Sequence, residues 1–60
     1  MGYKIDATYN MERTAGHDYA ALLKSRGYMV VMQSVGACDY IVAQGANLFG
    51  KNETILIIAQ

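Results

Sequence analysis

The chain has one cysteine, one histidine and no proline. A single thiol excludes an internal disulfide, and one Cys with one His cannot supply a tetrahedral zinc site. Excess charge of either sign is also missing, because five Lys and Arg balance five Asp and Glu. That argues against a strong, sequence-blind grip on nucleic acid, although a local patch could still bind. Long apolar runs are absent. Tyr28–Met32 and Ile55–Ala59 are five residues each, whereas a membrane-spanning helix needs about 20. The opening MGYKIDATYN has no apolar stretch of the kind a secretory signal requires. No membrane association is therefore expected, and the lone Cys38 fits a reducing, cytoplasmic setting.

Apolar residues make up 53% of the chain, enough to drive folding into one small domain. Stability is harder to reach. A domain of this size buries only about 60% of its unfolded surface, and a core this small rarely yields more than ~3–5 kcal/mol. With disulfides and zinc excluded, the remaining supports are self-association or completion by another polypeptide.

Periodicity predicts a β-α-β-β-β order. Tyr3–Tyr9 alternates, with Tyr3, Ile5, Ala7 and Tyr9 on one face, as a half-buried strand does. A helix follows over 12–26, with Asn10 as the expected N-cap and Glu12 in the first turn. Ala15, Tyr19, Leu22 and Leu23 form its apolar stripe, and Gly27 supplies a left-handed stop. Gly16 inside the helix is unfavourable by about 1 kcal/mol against Ala and suggests a late start near His17. Tyr28–Val35 reads as a strand buried on both faces. Gly36 and Ala37 form a turn, and Asp39–Gln44 is a third strand. A loop over 45–52 leads to a β-branched fourth strand, Glu53–Gln60. The fold class is α/β, one helix on a mostly antiparallel sheet. The chain stops while the strand pattern still runs, which suggests an apolar edge open to pairing.

The stretch from Arg26 through Gly27, Tyr28, Ser34, Gly36 and Asp39 to Ala43 follows a helix opened by Glu12 and Arg13, and precedes ILIIAQ at 55–60. In this it resembles the core of the PD-(D/E)xK nucleases, nearest the archaeal Holliday-junction resolvases, over about residues 12–60. The resemblance implies a restriction-endonuclease-like core lacking its C-terminal part, and Mg²⁺-dependent hydrolysis of DNA phosphodiesters. The metal would lower the pKa of a bound water and stabilise charge on the phosphate. By the same resemblance Glu12, with Asp18 as its rival, takes the helix Glu position. Asp39 takes the metal-binding Asp position, and the third motif begins either at Ile58, with Gln60 at its Lys position, or at Gln60, whose side-chain oxygen would join Asp39 at the metal. The chain departs from the family in having no Lys for that motif. The expectation is a chain that is catalytically inactive alone, with DNA and a completing polypeptide as its implied partners.

Structural readings stand beside these. Asp39 suits a strand entry and Glu12 a helix first turn. A second motif, Gly45 through Gly50 and Lys51, has the spacing of a phosphate-binding loop. It lacks the following Ser or Thr and the helix such a loop requires, so a hairpin loop is expected. His17 beside Asp18 reads as a solvated helix face, Cys38 as a small buried hydrophobe, and the tyrosines as core or interface packing. The alternative function is a non-enzymatic interaction module, of the kind a phage or mobile element encodes. It would form a homo-oligomer through a strand edge and bind a protein partner.

Overall fold

A computed structural model describes residues 4–60. Strand β1 (Ala7–Met11) leads into helix α1 (Arg13–Ser25), followed by β2 (Met29–Val35), β3 (Cys38–Ala46) and β4 (Asn52–Ala59). The sheet order is β1-β4-β3-β2. The last three strands form an antiparallel meander, and β1 adds in parallel beside β4. The β-α-β-β-β order and the single helix on a mostly antiparallel sheet are as the periodicity predicts.

The first strand comes later than the alternation suggests, and Tyr3 lies outside the described residues. Asp6 ends the approach. Its backbone N–H donates to the Thr54 carbonyl, and its carboxylate accepts from the Thr54 N–H, each at 2.8 Å. Pairing with β4 then runs from Ala7 to Met11, so Asn10 is a strand residue and not the helix cap. The cap is Glu12, extended at φ −62° and ψ 150°, whose side chain accepts from the Ala15 N–H. Gln60 fixes the junction, donating to the Met11 carbonyl and accepting from the Arg13 N–H. At the other end Gly27, at φ 95°, donates to the Lys24 carbonyl, while Tyr28 donates to that of Leu23. That pair of bonds is a Schellman stop.

The helix buries Gly16, Ala20 and Leu23; of the stripe Ala15, Tyr19, Leu22 and Leu23 expected from spacing, Leu23 is buried and Tyr19 packs against the core, while Ala15 and Leu22 are exposed. The face is set by size. A Cβ on Gly16 would stand 2.8 Å from the Ala59 Cβ, so the missing side chain lets the helix seat directly on β4. Gly16 is therefore a packing position within the helix, and the helix does not start late. Beneath lie Ile41, Ala43, Ile55, Ile57 and Ala59, completed by Tyr28. Tyr19 flanks the contact and meets Tyr9 edge-on, with ring centroids 5.9 Å apart.

Strand β2 departs most from expectation. It is an edge strand, and all of its residues except Val30 are exposed. A continuous apolar run usually marks burial on both faces. Here one helix covers the centre of the sheet and does not reach across to its margin.

Candidate functional site

The strongest side-chain cluster is built around Asp39, at the entry to β3. Asp39 is 4% exposed and lies opposite Ser34 in the β2–β3 ladder and opposite Ala59 in the β3–β4 ladder. Ser34 Oγ donates to Asp39 Oδ1 at 2.7 Å. Arg13 Nη1 donates to Oδ2 at 2.8 Å, and His17 Nε2 lies 2.8 Å from the same oxygen. Arg13 and His17 are one helical turn apart, so both reach the same point on the sheet. Arg13 also donates through Nη2 to the Ala37 carbonyl, tying the β2–β3 turn to the helix. The hydrogen bond from Ser34, then that from His17, then the positive charge of Arg13 hold the Asp39 carboxyl below its ordinary range, against the opposing effect of burial.

The three residues implied by the nuclease resemblance come to one end of the sheet. Asp39 opposes Ala59, Gln60 follows it, and Glu12 precedes the arginine that Asp39 holds. Their chemistry does not fit a Mg²⁺ site. Both Asp39 oxygens are already engaged, one of them by a cation. The Glu12 carboxylate caps the helix. Among the described residues no group of three or more His, Cys, Asp or Glu side chains is placed to hold a metal ion. Asp18 is exposed. His17, expected on a solvated face, keeps part of its side chain exposed and also reaches Asp39. The i, i+4 spacing of Arg13 and His17 facing a strand-entry Asp is the signal that could have revealed this cluster.

The glycine-bounded loop is a hairpin turn leading into β4, not a phosphate cradle. Asn47 closes it, its side-chain oxygen accepting from the N–H groups of Phe49 and Lys51. The closure holds Leu48 and Phe49 outward at 91% and 92% exposure. Neither residue stood out in the sequence.

Among the described residues no helix packs on the sheet face opposite α1. Alternation from the buried Ile41 and Ile57 puts Val31, Val42 and Leu56 in one row across that face, ending at Thr8. A second row holds Gln33, Tyr40, Ile58 and Asn10. No charged side chain interrupts either row. Cys38 shares this face with Tyr40; it is half-buried and unpaired, and the neighbouring thiol raises the Tyr40 phenol above its usual value.

Comparison of the chain with protein-family models, with curated proteins and with solved structures gives no significant match. No helix among the described residues is long and apolar enough to cross a membrane.

Proposed function

We propose that this chain is a non-enzymatic interaction module that works as a self-associated unit and presents an apolar sheet surface to a protein partner. The observation that carries the reading is the second sheet face: among the described residues a helix packs on one side of the four-stranded sheet, and Val31, Tyr40 and the half-buried Val42, Leu56 and Ile58 are contiguous on the other. Small domains gain stability by burying such surface against another chain. Zero net charge leaves association unopposed by long-range repulsion. The Asp39 cluster fits the module as a structural fastener between helix, turn and sheet, not as reacting groups.

Sedimentation equilibrium over a concentration series tests the reading. An average mass that rises with concentration supports it. A monomer at millimolar concentration overturns it.

The nuclease resemblance supplies a second reading, favoured by the meeting of Glu12, Asp39 and Gln60 at one end of the sheet and opposed by the donors that surround Asp39. Mg²⁺ titration followed by backbone and side-chain NMR separates the two. Shifts confined to Glu12, Asp39 and Gln60 would favour the nuclease reading, and their absence favours the module.

A further inference from the structure

The outer margin of β2 has a feature that the second sheet face alone does not explain. The β2–β3 turn contains two residues, Gly36 and Ala37, with Val35 opposite Cys38. Gly36 has φ 63°, while Ala37 is not among the residues with positive φ; this is the pattern of a type II′ turn, with Gly in its first central position. In a two-residue hairpin the pair flanking the turn exchanges both backbone hydrogen bonds, and the pattern then alternates along the ladder. Val35, Gln33, Val31 and Met29 therefore bond inward to β3. Val30, Met32 and Ser34 turn their N–H and C=O groups outward. Among the described residues nothing bonds to that row.

Natural sheets usually protect such a row with charge, proline, a bulge or a covering loop. Strand β2 is MVVMQSV, with no charge and no proline, and its register with β3 is unbroken over seven pairs. Met29, Val31, Met32 and Val35 are 52–69% exposed. The opposite edge differs. Antiparallel self-pairing of β1 about Tyr9 would set Asp6 against the partner's Glu12, two like charges directly opposed.

We infer that two copies of the chain join antiparallel along β2, with the two-fold axis at Met32, into one continuous eight-stranded sheet. This rests on the self-association proposed above and assigns its edge and register. Val30 pairs with the partner's Ser34 through backbone hydrogen bonds, and Met32 pairs with the partner's Met32. On the face opposite the helix Met29 meets the partner's Val35, and Val31 meets the partner's Gln33. The occupant is a second copy because the row is self-complementary. The same three residues supply donors and acceptors on both sides, and no charge on either strand opposes the contact. Joining the sheets this way also runs the two copies' faces opposite the helix into a single apolar platform.

Amide hydrogen exchange on the wild-type protein, at concentrations spanning the sedimentation transition, tests the geometry. The expected result is protection that rises with concentration at Val30, Met32 and Ser34 by tenfold or more on a logarithmic reading of about one unit. The amides of Val31 and Gln33, already bonded to β3, should change far less. Isotope-filtered NMR should show an Hα–Hα contact between Val31 and the partner's Gln33. The Met32→Lys variant, which opposes two ammonium groups across the axis, should lose the dimer while keeping the monomer's spectrum. Association without protection at the three even positions would overturn the β2 pairing and leave the self-association proposal standing. A monomer at every concentration would overturn both. Should Met32→Lys fail to fold, the exchange pattern of the wild type still decides.

Discussion

Gly45 lies directly beneath the ring of Tyr28: a Cβ at position 45 would stand 2.8 Å from Tyr28 Cγ and 3.0 Å from its Cα. Tyr28 is buried there, and its hydroxyl donates to Glu53 at 2.7 Å. Glu53 is the cross-strand neighbour of Gly45, so ring, glycine and carboxylate form one unit at the end of β3 and β4. The hydrogen bond to Glu53, followed by burial, raises the Tyr28 phenol above its ordinary value. Gly45→Ala is expected to destabilise the fold by about 1–3 kcal/mol through overpacking. Urea unfolding measures the loss. In a Tyr28→Ala background the same substitution should cost much less, because the ring it strikes is gone.

Replacing the Tyr28 hydroxyl isolates the polar part of that unit. Tyr28→Phe keeps the ring over Gly45 and removes the donor to Glu53. The expected loss is about 1 kcal/mol, the usual net worth of such a bond. Alkaline titration of the wild type carries the same information with a definite sign. The phenol's folded pKa is raised, so its contribution is full below the unfolded tyrosine value and is lost as pH rises through the folded one. Phe at 28 should abolish that part of the alkaline decline.

Gly16 shows how far local sequence rules reach. By propensity alone, Gly16→Ala should stabilise the helix by about 1 kcal/mol. Contact with Ala59 reverses the expectation. The new methyl would meet the Ala59 Cβ at 2.8 Å, with the Ile57 Cγ2 at 3.4 Å behind it, so the helix would have to lift from β4. A net destabilisation of about 1–2 kcal/mol is expected in chemical denaturation. Ala59→Gly in the same chain should recover part of it.

The same residue shows why the element order was legible and the burial was not. Alternation and 3.6-residue spacing report local geometry, and they predict β-α-β-β-β, the Gly27 stop and the mostly antiparallel sheet. They do not report which neighbour a face meets. The helix turns toward Gly16 and Ala20 because β4 presents Ala59 there, a fact about position 59. For the same reason β2, apolar enough to read as central, lies at the margin. The helix cap shifts from Asn10 to Glu12 because β1 continues pairing with β4, another long-range effect. At the candidate site Asp39 was singled out by the resemblance to the nuclease core, with a strand entry as its structural reading. Its partners Arg13, His17 and Ser34 come from two other elements, and only the tertiary fold brings them together.

The Asp39 cluster gives an acid-side prediction. Its folded pKa is depressed, chiefly by Ser34 and His17 and then by Arg13. Such a group contributes stability that is present above the unfolded carboxyl value, near pH 4, and that is lost as pH falls through the lower folded value. Urea midpoints should therefore fall below about pH 4 in the wild type. Asp39→Asn keeps the shape but not the charge. It should lower the melting temperature by several degrees at neutral pH and flatten the acid-side slope. The gap between the two proteins should close as the wild-type carboxyl protonates. A slope unchanged by Asp39→Asn would assign the acid sensitivity to other carboxylates.

Leu48 and Phe49 separate stability from association. Both side chains project from a loop closed by Asn47 and touch little of their own chain, so removing them should leave folding nearly unchanged, within about 0.5 kcal/mol as for other surface positions. Asn47→Ala acts differently, because it removes the acceptor for the Phe49 and Lys51 N–H groups and should loosen the hairpin. If the β2 edge joins the two copies, Leu48→Ser with Phe49→Ser should leave the association constant from sedimentation unaltered, since the β3–β4 loop is not part of that edge. Loss of self-association in the same protein would instead place Leu48 and Phe49 in the contact between copies.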